Sequence, residues 1–193
     1  MSSQIEIEYK ILITKDIYQS LYDHHQSKII DTYTQVNYYL THPLFDQKKY
    51  MLRIRHKKEQ YELTLKQPMQ VGNYETTIPL SLQEVKAIMQ KQQPIDNAIF
   101  TYLKGLSIVP SDLCTNLILR THRVDIAHRY GILSLDKNEY SNIIDYELEF
   151  EVDNKCKGYH AFLQIIAPYH LSYSTNCPSK LQRLKASQNK NSF

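Results

Sequence analysis

Glu6-Ile7-Glu8-Tyr9-Lys10 places charged and apolar side chains on alternate positions, and three later stretches repeat the pattern: Arg53-Ile54-Arg55, Glu62-Leu63-Thr64-Leu65-Lys66 and Glu147-Leu148-Glu149-Phe150-Glu151. Along a β-strand, alternate side chains share one face at a spacing of about 6.5 to 7 Å. These stretches therefore encode strands with one ionic and one apolar face. Taken singly, such a strand is an ordinary solvated sheet face. Here the charges are also sorted by sign, with Glu-rich strands at the two ends of the chain and Arg and Lys in the middle. A merely soluble face mixes signs, and Glu147, Glu149 and Glu151 in a row repel one another unless a cation sits among them. Burying unpaired ions costs at least several kcal/mol, about the stability of a small domain, so the ionic face is expected to be wet, either on the outside or in a solvent-filled tunnel.

Working outward from these segments, β-branched and aromatic content, alternation and turn residues give eight expected strands: 5–12, 29–40, 50–56, 61–66, 74–78, 115–127, 132–136 and 145–152. Thr14 caps a short helix through Leu21, Ser81 and Glu84 form a capping box for a helix over 81–91, a second helix covers 97–106, and a third covers 158–167. Residues 44–49 read as a polar loop. In the polar tail 170–193, Lys180, Arg183 and Lys185 have helical spacing. The expected class is mainly β (α+β): an eight-stranded antiparallel β-barrel forming a tunnel, with helices packed outside. The interior of such a barrel is just wide enough for side chains or one small ligand. One domain over 1–193 is expected, with a helical insertion at about 81–106 and a C-terminal helix and tail at about 156–193.

Composition narrows the function. A net charge of +3 over 193 residues, with no isolated run of Lys and Arg, excludes a coat for a nucleic acid polymer. Cys114, Cys156 and Cys177 lack the spacing of a zinc knuckle or a disulfide framework, so reduced thiols are expected. No apolar run approaches the ~20 residues of a membrane span, and a cytoplasmic protein is expected. The four glycines match neither the dinucleotide-binding nor the P-loop spacing. Phosphates, if bound, must be held by side chains.

Rows of carboxylates beside rows of Arg and Lys suit a metal-bound polyphosphate. Mg²⁺ and Mn²⁺ favour carboxylate plus phosphate oxygens, while Arg and Lys take the remaining phosphate charge. On strand 115–127, Arg120 and Arg123 fall on opposite faces, and Asp125, which shares the Arg123 face, is expected to pair with Arg123. The histidines lack ligand spacing and read as surface or edge residues. Most tyrosines read as packing, with Tyr38 or Tyr39 free to touch the ring of an organic substrate.

Glu6-Ile7-Glu8-Tyr9-Lys10 resembles the ExExK signature of the CYTH superfamily, the triphosphate tunnel metalloenzymes, which include class IV adenylyl cyclases, thiamine triphosphatases and inorganic triphosphatases. The ordered recurrence of Arg53-Ile54-Arg55, Glu62 to Lys66, Arg123, Asp136 and Glu147-Leu148-Glu149 extends the likeness over nearly the whole chain. Arg123-Val124-Asp125, Asp136 to Tyr140, Tyr146 to Glu149, and Ser179-Lys180-Leu181-Gln182-Arg183 are similar to a bacterial CYTH-domain branch. The resemblance implies that Glu6, Glu8, Asp136, Glu147 and Glu149 hold Mg²⁺ or Mn²⁺. It implies that Lys10, Arg53, Arg55, Lys66, Arg123, Lys180 and Arg183 bind the triphosphate, with Lys10, Glu8 and Arg55 catalytic. Glu62 is expected to orient Lys66, Arg120 to point outward, and Glu151 to lie solvated at the tunnel mouth. The implied activity is metal-dependent hydrolysis of the terminal phosphoanhydride of an inorganic or organic triphosphate. A class IV type cyclase and a non-catalytic polyphosphate or nucleotide sensor are the alternatives. The sequence leaves both the group carrying the triphosphate and the choice of monomer or homodimer open.

Overall fold

The computed structural model describes residues 1–92 and 96–190. Among them the chain is mainly β, with nine strands and six α-helices: β1 Ser2–Glu6, β2 Glu8–Ile13, α1 Lys15–His25, β3 Ile29–Thr41, α2 Pro43–Lys48, β4 Met51–Lys57, β5 Gln60–Pro68, β6 Asn73–Leu80, α3 Leu82–Met89, α4 Ala98–Gly105, β7 Cys114–His128, β8 Gly131–Tyr140, β9 Ile143–Val152, α5 Lys155–Ile166 and α6 Lys180–Lys190. The expected insertion carries α3 and α4, and the expected C-terminal helix and tail carry α5 and α6 with non-helical residues 170–179 between them; residues 93–95 and 191–193 lie outside the described residues.

Two expectations change. The single first strand is two, giving nine strands rather than eight, because the chain switches partners at Ile7: β1 neighbours β6, whereas β2 pairs with β9 and the Ile7 carbonyl accepts the Val152 amide at 2.9 Å. The polar loop at 44–49 is largely helix α2. His42 caps it by accepting the Leu44 amide at 3.2 Å, Pro43 occupies the first turn, and Phe45 is buried beneath it. Polarity concealed a helix pinned by one aromatic side chain.

The chain divides into two compact units, the first Met1–Ile5 with Val36–Ile118, the second Glu6–Gln35 with the chain from Leu119 onward. In the first, the strands follow the order β1-β6-β5-β4-β3, and β4, β5 and β6 pair antiparallel. Leu52, Ile54, Leu63 and Leu65 project from the apolar face onto Val85 and Ile88 of α3 and Ile99, Phe100 and Leu103 of α4. Each such fully buried side chain contributes about 1.5–3 kcal/mol, so one missing residue is felt. Helix α3 starts on the anticipated capping box: Ser81 Oγ accepts the Glu84 amide at 3.2 Å, and the Ser81 amide donates to Glu84 Oε2 at 2.7 Å.

In the second unit the order is β3-β7-β8-β9-β2, with β7/β8, β8/β9 and β9/β2 antiparallel. Tyr9, Ile11, Val124, Ile126, Leu133, Leu135, Leu148 and Phe150 form its apolar face, covered by Leu21 of α1 and Phe162 and Ile166 of α5. Gly131 turns β7 into β8 at φ +144°, and a Cβ there would stand 1.9 Å from the Glu151 carbonyl oxygen, so only glycine fits. The free edge of β2 is covered by the tail: the Lys10 amide donates to Asn176 Oδ1 at 2.8 Å, and the Cys177 amide donates to the Lys10 carbonyl at 3.1 Å. Among the described residues no helix is long and apolar enough to cross a membrane.

Candidate functional site

Antiparallel register brings the second unit's ionic residues together. Arg123 lies opposite Asp136, Ser134 opposite Glu149, Asp136 opposite Glu147, and Glu149 opposite Lys10, so alternate residues of β7, β8, β9 and β2 share one face. At its centre the carboxylates of Asp136, Glu147 and Glu149 offer oxygens all within 4.8 Å of one another. Asp136 and Glu147 are fully buried. At these two carboxylates the expectation of a wet ionic face is corrected, because each is matched by cations, while Arg123, Glu149 and Lys180 stay partly exposed. Arg123 donates to Asp136 at 2.7 and 2.6 Å and to Glu149 at 2.6 Å. Arg183 donates to Asp145 at 2.9 Å and to Glu147 at 2.6 Å. Lys180 pairs with Asp136 at 2.9 Å, with Glu149 at 3.0 Å and with Glu147.

The electrostatics follow from this packing. Burial works against the charge of Arg123 and Lys180, but the surrounding carboxylates outweigh it and hold both cations well above their ordinary ranges. Burial would raise the Glu149 carboxyl; Lys180, Arg123, a hydrogen bond with Glu8 and Lys10 instead hold it well below the usual carboxylate range. Lys10 is likewise kept charged against burial by Glu8, to which it is hydrogen-bonded, and by Glu149 and Glu147. Burial and the neighbouring Glu147 push the Cys177 thiol up to about 12. It is no nucleophile at neutral pH.

Of the five expected metal ligands, Asp136, Glu147 and Glu149 form the cluster and Glu8 adjoins it through Glu149 and Lys10, while Glu6 lies buried at the end of β1. Arg120 is exposed on the opposite face from Arg123, since the β7/β8 register runs unbroken from Arg120 to His128. Asp125 does share the Arg123 face, but it accepts from Tyr33 at 3.0 Å and Ser134 at 2.7 Å instead of pairing with Arg123. Glu151 is exposed. Asp145 escaped the sequence reading. It takes Arg183, Asn138 at 3.0 Å and Tyr140 at 2.6 Å. Its position two residues before Glu147, on the same strand face, was the available signal.

The first unit carries a different ionic face. Arg53 and Arg55 alternate on β4, opposite Thr64 and Glu62 of β5. Arg55 donates to Asn37 at 3.2 Å and to Glu62 at 3.3 Å, and Lys66 pairs with Glu75 at 3.0 Å. Glu75 of β6, missed in the sequence, is therefore the carboxylate beside Lys66, the place expected for Glu62. It sits directly across the ladder from Lys66. Burial would raise the Glu75 carboxyl, but Lys66 and Arg53 hold it below its usual value. Arg53 is only 8% exposed, and among the described residues its Nε has no hydrogen-bond partner. An open cavity of about 890 Å³, lined by Lys57, Lys58, Tyr61, Glu62 and Thr77 among others, adjoins this row at Glu62. Tyr38 packs against the first unit's core, and Tyr39 is buried.

Comparison with known proteins assigns the chain to a family. A CYTH domain is recognised over residues 4–174. YjbK of Bacillus subtilis (strain 168), provisionally named a triphosphatase, is 33% identical over 173 residues, covering 89% of this chain and 90% of that protein. A crystal structure from Bacillus halodurans, provisionally named an adenylate cyclase, superimposes with a TM-score of 0.85 at 33% identity, covering 95% of this chain and 98% of the other. HpAC1 of Hippeastrum, a provisional adenylyl cyclase described as having a dominant triphosphatase activity, shares the fold at a TM-score of 0.79 and 19% identity, covering 95% and 96% of the two chains. The chain belongs to the CYTH family.

Proposed function

We propose that this chain is a divalent-metal-dependent phosphohydrolase that cleaves the terminal phosphoanhydride of a triphosphate. The observation that carries this reading is the buried Asp136, Glu147 and Glu149 cluster. Its donor set is all hard carboxylate oxygen, which fits Mg²⁺ or Mn²⁺, and a cation already lies among the three carboxylates in the form of the Lys180 ammonium. Asp136, Glu147 and Glu149 would hold the ion, with Glu8 and Glu6 as further ligands. When bound, the ion neutralises phosphate oxygens and supplies an acidified water.

Phosphate binding is assigned to Lys10, Arg123, Lys180 and Arg183 in the second unit and to Arg53, Arg55 and Lys66 in the first. Arg53 supports this assignment, because a buried guanidinium with an idle Nε is matched by a bidentate anion. Fixed cations stabilise the charge that grows on the phosphoryl oxygens and on the departing polyphosphate without reorganising as it forms. Lys10, held charged by Glu8, is assigned to the scissile end, with Glu8 and Arg55 as its catalytic companions. One cytoplasmic domain over 1–193 and enclosure of the phosphate tail in a tunnel of strands belong to the same proposal, on the strength of the family resemblance.

The test is release of orthophosphate from inorganic triphosphate, thiamine triphosphate and ATP with Mg²⁺ or Mn²⁺. Turnover is expected with at least one substrate and is expected to fall at least 100-fold in Glu8→Gln and Arg55→Ala; turnover that survives both substitutions removes the site assignment. The second reading, cyclase chemistry, is favoured by the name given to the 33%-identical Bacillus halodurans protein. It predicts cyclic AMP and pyrophosphate from ATP instead. Tight binding with no turnover of any substrate would make the protein a sensor.

A further inference from the structure

Three cations contact the buried carboxylates, but they are not equivalent. Arg123 projects from the middle of β7 and touches Asp136 and Glu149, and Arg183 is shared between Glu147 and Asp145. Lys180 alone of the three touches Asp136, Glu147 and Glu149 together. It is also the first residue of α6. The start of this helix is fixed locally: the Gln182 amide donates to Ser179 Oγ at 3.2 Å, and the Ser179 amide donates to Gln182 Oε1 at 2.8 Å, a capping box with Gln in the Glu position. Further along, Leu184 is 1% exposed and Ser187 Oγ lies 3.2 Å from Ser141 Oγ, so the helix body is docked independently of its first turn.

Asp136, Glu147 and Glu149, whose carboxylates offer oxygens within 4.8 Å of one another, are the residues that would hold a divalent ion. An ammonium already hydrogen-bonded to this set occupies the same volume and uses the same lone pairs. Arg123 shares Asp136 Oδ2 and Glu149 Oε2 with Lys180 from the side. The position among all three carboxylates is therefore the one an ammonium and a divalent ion would contest, and a doubly charged ion beside the ammonium adds strong repulsion in a buried site. We propose that Lys180 is the resident counter-ion of the carboxylate cluster in the metal-free protein and that divalent metal enters only by displacing it, coupling metal loading to release of the first turn of α6. The exchange rests on the metal-dependent reading above and adds its order of events. Without metal, Lys180 is sequestered by carboxylates. With metal in place, the displaced ammonium is free to meet a phosphate oxygen. Metal binding thus precedes productive binding of the triphosphate, and the protein silences its own anion site when metal is scarce.

The test titrates Mn²⁺ alone, without any phosphate, into the full-length protein by calorimetry, and follows amide hydrogen exchange over residues 180–188. Lys180→Gln is expected to bind Mn²⁺ at least tenfold more tightly than the unaltered protein. Lys137→Gln, which removes a lysine from the opposite face of β8 where it pairs with Glu139 at 2.7 Å, is expected to change affinity less than threefold. In the unaltered protein Mn²⁺ is expected to speed exchange in the first turn of α6, whereas in Lys180→Gln exchange there is fast from the outset and insensitive to metal. The exchange measurement on the unaltered protein stands even if the variant folds poorly. Equal Mn²⁺ affinity in the unaltered protein and Lys180→Gln, with α6 exchange unmoved, overturns the displacement and leaves the triphosphatase reading intact. Absence of Mn²⁺ binding in every variant overturns both.

Discussion

The two units solve the same problem, a row of like-signed charges on one sheet face, in opposite ways. In the second unit Arg123, Lys180 and Arg183 are each saturated by carboxylates, and the central acids are fully buried. In the first unit Lys66 and Arg55 lean on the partly exposed carboxylates of Glu75 and Glu62, while Arg53 is buried with its Nε unmatched. The proposed function gives this difference a purpose. On that reading the saturated cluster would be a store of ligands suited to exchanging one cation for another. Arg53, a buried cation with unused hydrogen-bonding capacity, would receive an anion that arrives from outside. Both cost folding free energy in proportion to the charge left unmatched, so mutation should separate them by sign and size.

The largest effect is expected in the saturated unit. Replacing Glu147 by Gln leaves Lys180 and Arg183, both tucked against it, with a neutral partner in a buried site. Breaking a buried pair from one side costs about 3–5 kcal/mol. Glu75→Gln, which takes one charged partner from Lys66 in the first unit where neither side chain is fully buried, should cost less, about 1.5–3 kcal/mol. Urea unfolding of the two variants measures the gap. Equal destabilisation would break the contrast between the units.

Acid should expose the same asymmetry. Glu149 is held well below the ordinary carboxylate range, and Glu75 is held below it as well. A carboxylate with a depressed folded-state pKa stabilises the fold fully above its unfolded value of about 4.3, and that stability is lost as pH falls toward the folded value, because the unfolded chain takes up the proton first. Unfolding free energy carried by these two groups should therefore hold from neutral pH down to about pH 5 and decline below it. Glu149→Gln should flatten the decline more than Glu75→Gln, as measured by urea midpoints between pH 3 and 7. The reverse ranking would place the stronger acid-sensitive pairing in the first unit.

How much of this was legible in advance depended on whether a residue's partner lies in its own strand. Alternation alone put Glu6, Glu8 and Lys10, Arg53 and Arg55, and Glu147 and Glu149 on ionic faces, and it separated Arg123 from Arg120, because period two is a local property of the backbone. Pairing across the ladder was not legible. Lys66 was matched to Glu62 on its own strand, but the register of β5 and β6 sets Glu75 directly opposite it. Asp125 was matched to Arg123, yet bonds Tyr33 and Ser134 on the strands either side. The helical spacing of Lys180 and Arg183 could be read, but their burial in the carboxylate cluster could not, since it depends on where the tail docks. The break at Ile7 was equally hidden, as nothing in the alternation of Glu6, Ile7 and Glu8 marks a change of partner.

The smallest effect on stability, and the sharpest on function, is expected at Arg53. An arginine residue that is 8% exposed, its Nε unpartnered among the described residues, costs the fold desolvation that its surroundings do not fully return. Arg53→Met keeps the length and apolar body of the side chain and removes the charge, so unfolding free energy should stay within about 1 kcal/mol of the unaltered protein, on the stabilised side. If Arg53 is there to receive phosphate, inorganic triphosphate should raise the melting temperature of the unaltered protein and fail to raise that of the variant to the same extent, with affinity at least tenfold weaker. A variant that unfolds several kcal/mol more easily, yet retains its triphosphate-induced shift, would make Arg53 a structural residue. The first unit would then resemble the second, with its cations serving the fold before any ligand.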